Sequence, residues 1–121
     1  MKLAEKSDEQ ILQIAIPIMD NLIEGSTERD WEKHTRDFTE ATKKIVTEGN
    51  LQKQCEEYQS SHGHFAERAP IGITRHPQYV NVLWKQTMTR QSGEYLAILT
   101  LIERDNRILV ARCWVDLWDP G

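Results

Sequence analysis

The chain is poor in cysteine, and its two thiols are far apart in the sequence. Among 121 residues only Cys55 and Cys113 are cysteines. A secreted disulfide framework needs denser cysteines, and a metal site needs ligands at closer spacing. We therefore predict two reduced structural thiols, no metal ion and a cytoplasmic location. A secreted form whose signal peptide has been removed remains the alternative.

The chain also lacks a long apolar run and an excess of basic residues. No stretch approaches the ~20 apolar residues that span a bilayer, and the polar N-terminus has no apolar signal-peptide core. With 15 Lys+Arg against 19 Asp+Glu, the net charge is −4, which disfavours binding to nucleic acid. We predict no nucleic-acid partner and no membrane contact. Glycine-rich phosphate loops and hydrolase signatures are absent too, so no cofactor is predicted.

The residues that are present suffice for one globular domain. The chain is 39% hydrophobic and 28% charged, as is typical of globular proteins. A chain of this length buries enough surface to form a core without disulfides. We predict a single domain over residues 1–121. Because the apolar period changes near Gly63, the helical part covers about 7–62 and the sheet part about 64–118.

The first half predicts four helices. Ser7 and Gln10 have the spacing of a capping box, and apolar residues at helical spacing follow, interrupted by Pro17, so we predict one kinked helix that ends at Gly25. Three shorter helices are predicted behind their N-caps, with the third helix ending at Gly49 and the fourth near Gly63. These predicted N-caps are Thr27, Thr39 and Asn50.

The second half predicts four strands joined by short turns, with the last three linked as hairpins. The predicted strands are Phe65–Arg75, Tyr79–Arg90, Glu94–Arg104 and Arg107–Trp118. Helices followed by a strand meander indicate an α+β fold, in which the helices pack on one face of a curved, mainly antiparallel sheet.

Large apolar side chains occur on both faces of the predicted strands. In the last strand one row is wholly apolar and fits the helical side, and the other row mixes aromatic and charged groups. A sheet with two apolar faces needs cover on both. We therefore predict a homodimer through the outer face. Its interface residues are Trp84, Arg112, Trp114, Asp116 and Trp118.

Three segments stand out between the first predicted helix and the sheet, namely Glu24-Gly25-Ser26-Thr27-Glu28-Arg29-Asp30-Trp31, Asp37-Phe38-Thr39 and His62-Gly63-His64-Phe65. Together they resemble the nuclear transport factor 2-like superfamily, and within it a bacterial family of unknown function. The resemblance implies a cone-shaped fold with the helices in the concave face of the sheet, a pocket at the open end, and dimers formed through the sheet. Relatives include ketosteroid isomerase, scytalone dehydratase, limonene epoxide hydrolase and SnoaL-like polyketide cyclases.

A fold with so many activities does not assign one. We predict a non-catalytic module that binds a small hydrophobic molecule or a partner protein. Its ligand pocket is predicted to contain Trp31, Phe38, Tyr58 and Tyr79.

The alternative is an isomerase, dehydratase or cyclase that uses acid–base chemistry. His34 is the candidate base near neutral pH, and Asp116 is the candidate carboxylate among apolar neighbours. The first helix has no tyrosine, unlike the isomerase-like relatives, so no catalytic position is transferred. We interpret His62-Gly63-His64 as a solvated turn, because a metal site needs three or four ligands.

Overall fold

The computed structural model describes residues 2–120 and confirms the α+β fold. Four helices pack against a curved, open, four-stranded antiparallel sheet. A 3-10 turn at Leu3–Glu5 precedes the helices α1 (Asp8–Glu28), α2 (Trp31–His34), α3 (Glu40–Ile45) and α4 (Glu48–Ser61). The strands are β1 (Phe65–His76), β2 (Tyr79–Met88), β3 (Tyr95–Arg104) and β4 (Arg107–Val115). No helix in this described part is long and apolar enough to cross a membrane.

Helix α1 begins where the sequence predicts and ends later. The Ser7 Oγ accepts the Gln10 N–H at 3.1 Å, and the Ser7 N–H donates to the Gln10 side chain at 3.0 Å. The predicted end at Gly25 is wrong, because the helix continues to a left-handed C-cap at Arg29 with φ 56°. Gly25 serves packing instead: a Cβ placed there would lie 2.4 Å from the His34 backbone nitrogen. The missing side chain lets α2 approach α1.

The shorter helices begin at caps that the sequence predicts only in part. Thr39 caps α3 as predicted. The Asp30 carboxylate caps α2, and the Thr47 hydroxyl caps α4 by accepting the Asn50 N–H at 3.2 Å. Thr27 and Asn50, predicted as caps, both lie inside helices. The cap of α4 lies three residues before the predicted one, where the Thr47 hydroxyl reaches the orphan donors first. The cap of α2 lies three residues after the predicted one, because α1 continues through Thr27 to Glu28.

The sheet has the order β1-β2-β3-β4, with every neighbouring pair antiparallel. A register shift in the last pair places Thr100 opposite Arg112 but Leu101 opposite Val110, so Ala111 is an extra residue. Such a bulge changes which side chains face the core. Val110 points inward before it, and Cys113 after it. The predicted continuous apolar row along β4 is therefore wrong.

The core lies between α1 and the inner face of β2 and β3. It is formed by apolar side chains at helical spacing and by alternate strand residues, chiefly Ile11, Ala15, Met19, Leu22, Val80, Val82, Trp84, Leu99 and Leu101. Trp84 is 2% exposed, so its predicted place in an outer interface is wrong. It lies in register with Ala97, whose small side chain leaves room for the indole on the core side.

The outer face carries one apolar and one polar row across the strands. The apolar row joins Leu83, Ile98 and Trp114 in register. In the polar row, the Thr100 hydroxyl donates to Asn81 at 2.6 Å and accepts the Arg112 Nε–H at 3.3 Å. This face is therefore only partly apolar, and the homodimer through it stays a prediction.

Candidate functional site

A cavity of about 640 Å³ opens between the helices and β4. Its walls come from the last turns of α1, from α2, α3 and α4, from the start of β1 and from β4. Most of the lining is apolar, and its large members include Leu22, Phe38, Ile45, Phe65, Val115 and Leu117. Ligand sites of small molecules have volumes of roughly 300–1,000 Å³. The cavity is therefore large enough for a compact ligand with two or three rings.

His34 lines the inner end of this cavity. Its Nδ1 lies 2.8 Å from the Leu22 carbonyl oxygen, which only accepts, so Nδ1 carries the proton. The ring meets Phe38 edge-to-face at 5.3 Å between centroids. Burial lowers the pKa of His34 below its ordinary value, against a smaller upward effect of the Leu22 hydrogen bond. The result is a neutral imidazole whose Nε2 accepts no hydrogen bond from residues 2–120.

A buried polar group links α1 to α4 beside His34. The hydroxyl oxygens of Ser26 and Tyr58 are 2.8 Å apart, and the Gln59 amide donates to the Tyr58 oxygen at 3.2 Å. The Cys55 thiol donates to the Ser26 carbonyl at 3.2 Å. Burial raises the pKa of Tyr58, so the phenol stays protonated at neutral pH. This group offers hydroxyls to a ligand and holds the helices together.

The β4 wall presents a thiol that is not a nucleophile. Burial raises the pKa of Cys113 to about 12, and its sulfur lies 3.9 Å from the Met19 sulfur in the core. Because the thiolate is the reactive form, a thiol with this pKa is inert at neutral pH. Cys113 contributes apolar surface to the cavity.

The structure brings only part of the predicted pocket together. Phe38 and Tyr58 line the cavity. The Trp31 indole is turned elsewhere and donates to the Val46 carbonyl at 2.6 Å, with the Lys43 ammonium 5.8 Å from the ring centroid. Tyr79 stacks on His76 at 4.4 Å, at the turn between β1 and β2. Trp31 and Tyr79 are therefore outside the cavity, because each has a closer partner.

The two candidate catalytic residues are not in one site. The half-buried Asp116 accepts the Trp118 N–H at 3.2 Å and does not line the cavity that contains His34. Arg112 and Trp114 lie at its open side, and Trp118 is 76% exposed. No group of three or more metal-binding side chains occurs between residues 2 and 120.

Sequence reasoning missed most of the lining residues, among them the polar residues Ser26 and His62. Ser26 lies between Gly25, which was predicted to end α1, and Thr27, which was predicted to cap the next helix. His62 was assigned to a solvated turn, but it is 7% exposed, meets Tyr95 edge-to-face and lines the cavity. Gly63 does form the turn, with φ 84°, and it turns His62 inward while His64 stays exposed. The buried His62 corrects that interpretation.

No protein-family model and no curated protein matches the chain. Solved structures of similar fold do match. Bd1075 from Bdellovibrio bacteriovorus has a TM-score of 0.55 and 11% identity over 95% of this chain and 44% of that chain. A DUF4783 family protein from Bacteroides uniformis has a TM-score of 0.51 and 12% identity over 83% of this chain and 96% of that chain.

At these identities the likeness concerns the fold alone. The chain spans less than half the length of Bd1075 and nearly the full length of the DUF4783 family protein. The helices followed by a four-stranded antiparallel sheet are therefore an arrangement that this chain shares with proteins from two bacteria.

Proposed function

We propose that this protein is a nuclear transport factor 2-like binding module whose cavity takes a small, largely apolar molecule. One observation carries the proposal: a cavity of about 640 Å³ is walled mainly by aliphatic and aromatic side chains and holds a few polar groups at its inner end. Apolar walls supply affinity through burial, and a few fixed polar groups supply orientation.

The polar groups at the inner end favour a ligand with a hydroxyl donor. The Leu22 carbonyl fixes the His34 tautomer, which makes Nε2 an acceptor. A ligand hydroxyl placed there would satisfy that acceptor. A cationic ligand is disfavoured, because among residues 2–120 the lining holds a single carboxylate, the exposed Glu57, together with the Arg112 guanidinium.

Acid–base catalysis is the second candidate, and His34 is the observation that favours it. A neutral imidazole with a lowered pKa in an apolar cavity is a competent proton acceptor. A second ionisable group opposite the first is also needed. Asp116 does not line the cavity, and the Tyr58 phenol already binds Ser26 and Gln59. His62 and Glu57 also line the cavity, but the Nδ1 of His62 lies 2.7 Å from the Ser61 hydroxyl oxygen and Glu57 is exposed. Ligand binding without conversion is therefore the proposal we favour.

A matched pair of serines in α4 tests the cavity. Ser60 and Ser61 are both exposed and both donate to the Glu57 carbonyl, at 3.0 and 2.9 Å, but only Ser61 lines the cavity. We expect Ser61→Trp to fill the mouth and weaken binding of 2-naphthol at least about tenfold, since an indole displaces the probe from apolar surface. Ser60→Trp should bind as the wild type does.

Isothermal titration calorimetry with 2-naphthol measures both variants. Equal binding to Ser60→Trp and Ser61→Trp would place the probe elsewhere on the protein. Absence of binding to the wild type, for this probe and for a panel of bicyclic and tricyclic phenols, would remove the proposal.

A further inference from the structure

The edge of β4 is covered over only part of its length. At Val110 the chain before α3 pairs with it, because the Val110 N–H donates to Asp37 at 2.7 Å and the Thr39 N–H donates to Val110 at 3.0 Å. The Thr42 hydroxyl then donates to the Ala111 carbonyl at 2.7 Å. Cover by the chain's own segments therefore ends at the bulge.

Beyond Ala111 the edge offers free backbone groups. The Asp116 N–H donates to the Leu96 carbonyl at 2.8 Å, so the backbone N–H and C=O of Asp116 point toward β3. Backbone groups alternate in direction along a strand, which turns those of Cys113 and Val115 away from the sheet. No turn, loop or other element between residues 2 and 120 bonds to these groups.

The opposite edge of the sheet is interrupted over the first half of β1, whereas β4 after its bulge is not. In β1 the register shifts between Phe65 and Arg68 and again between Pro70 and Gly72. Bulges and proline are devices that prevent edge strands from pairing with another chain. The regular, uncovered segment of β4 has neither after its bulge, so it remains a template for another strand.

The cavity runs along this free edge. It is lined by Cys113 and Val115 from the inner row of β4 and also by Arg112 and Trp114 from the outer row. One face of a strand cannot present both rows to the same space. The open side of the cavity therefore follows the edge of the strand, where a neighbouring strand would lie.

We propose that a second copy of this chain pairs antiparallel with the β4 edge, about a two-fold axis through Trp114. In this register Cys113 is opposite the partner's Val115, and Val115 is opposite the partner's Cys113. Each opposed pair exchanges two backbone hydrogen bonds, which joins the two sheets into eight strands. The inference goes beyond the proposed ligand site and does not depend on it.

Charge complementarity fixes the register. With the axis at Trp114, Arg112 stands opposite the partner's Asp116, and the symmetry repeats the pair on the other side. Neither residue has an ion-pair partner within its own chain over residues 2–120. Moving the axis by one residue either way would oppose Arg112 to a tryptophan and leave the charges unpaired. Opposite charges across strands stabilise pairing, and like charges destabilise it.

The partner strand would also close the cavity on its open side. A strand lies about 4.8 Å from its neighbour, within the space along Cys113 and Val115. His34 lies against α1, with its Nδ1 2.8 Å from the Leu22 carbonyl oxygen, and Phe38 lies beside Val110 at the covered part of the β4 edge. A ligand at the inner end is therefore compatible with the second copy.

Charge reversal tests the register. In a dimer of Arg112→Glu, the introduced glutamate lies opposite the partner's Asp116 on both sides of the axis. In a dimer of Asp116→Arg, the introduced arginine lies opposite the partner's Arg112 on both sides. We expect each variant to run as a single 14.1 kDa chain, with the dimer dissociation constant raised at least about 100-fold. An equimolar mixture of the two variants pairs the introduced glutamate with the introduced arginine on one side of the axis and Asp116 with Arg112 on the other, and should form a heterodimer. Sedimentation velocity measures all three samples.

Leu83→Asp is the control for packing through the outer face. Leu83 lies in the apolar outer row, away from the β4 edge, so this variant should remain a dimer. The proposal would be overturned by a monomeric wild type. It would also be overturned if Leu83→Asp lost the dimer while Arg112→Glu kept it, or if the two reversed-charge variants did not associate when mixed. Far-UV circular dichroism verifies the fold of every variant, and the mixed sample tests both variants in a complex.

Discussion

At the scale of the residue, His34 shows how a fold chooses the state of one side chain. Its backbone lies against Gly25, and its ring lies between the Leu22 carbonyl and Phe38. Gly25 and Leu22 of α1 and Phe38 after α2 thus fix the position and tautomer of the ring, and burial lowers its pKa. The sequence shows a histidine at helical spacing between two aromatics and reveals none of these three contacts.

The lowered pKa of His34 makes stability depend on pH. The folded state binds the proton less readily than the unfolded chain, whose histidine titrates near 6.5. The stabilising effect of the neutral His34 on the fold is therefore complete above pH 6.5, and the free energy of unfolding falls as the pH drops below 6.5. Urea unfolding at about pH 7.5 and pH 5 measures it. We expect the difference between wild type and His34→Gln to shrink at the lower pH.

The control is His76→Gln, which removes an imidazole from the exposed turn between β1 and β2. Its difference from the wild type should stay small at both pH values. A His34→Gln difference that is constant with pH would contradict the lowered pKa. Direct titration of the His34 ring by NMR would provide an independent measurement.

At the scale of the element, helix ends depended on contacts that are distant in sequence. Gly25 and Gly49 have the same local signal, and both were predicted to end helices, yet both lie inside them. Most strand bounds were predicted within one residue: β1 ends at His76 instead of Arg75, and β3 begins at Tyr95 instead of Glu94. The predicted ends of β2 at Arg90 and of β4 at Trp118 are wrong, because these strands end at Met88 and Val115. Alternation and turn residues are local signals, whereas the approach of α2 to α1 is tertiary.

The two glycines give opposite predictions for stability. A Cβ at Gly25 would meet the His34 backbone at 2.4 Å, whereas a Cβ at Gly49 would have nothing within 4 Å. We expect Gly25→Ala to lower the free energy of unfolding by about 2 kcal/mol or more through overpacking. Gly49→Ala should raise it by about 0.5–1 kcal/mol through helix propensity. Chemical denaturation measures both, and equal effects would refute the packing role of Gly25.

The cavity was less predictable than the elements that surround it. Phe38 and Tyr58 were assigned to a pocket because they lie on inward helix faces. Trp31 and Tyr79 have the same chemistry, but local partners, the Val46 carbonyl and the His76 ring, hold them elsewhere. The sequence pattern predicts which side chains turn inward. Only the fold shows which of these side chains line the cavity and which contact other groups.

At the scale of the whole molecule, the β4 bulge decides what the sheet presents outward. The extra residue Ala111 turns Val110 inward and leaves Arg112, Trp114 and Asp116 together beside the free edge. The sequence showed this charged and aromatic row, and a face-to-face dimer was predicted from it. The order of the strands shows that this row lies at the edge of the sheet. The expected contact between two chains therefore changes from face-to-face packing to edge-to-edge pairing.

The proposed dimer also predicts how the thermal unfolding of the protein depends on its concentration. Because a dimer of folded chains draws the equilibrium away from the unfolded state, the unfolding midpoint should rise with protein concentration. We expect this rise in the wild type and in Leu83→Asp, and a constant midpoint in Arg112→Glu. Differential scanning calorimetry over a 100-fold range of concentration measures it. A midpoint in the wild type that does not change with concentration would contradict the dimer.

The irregular β1 strand has a consequence for how far such an assembly can grow. Its two register shifts and Pro70 lie at the edge opposite β4. Once two β4 strands have paired, both remaining edges are β1 strands, each interrupted over its first half and regular only from Gly72 to His76. The bulged half of each β1 would then oppose growth beyond two chains, and a filament would have to start from that short regular stretch.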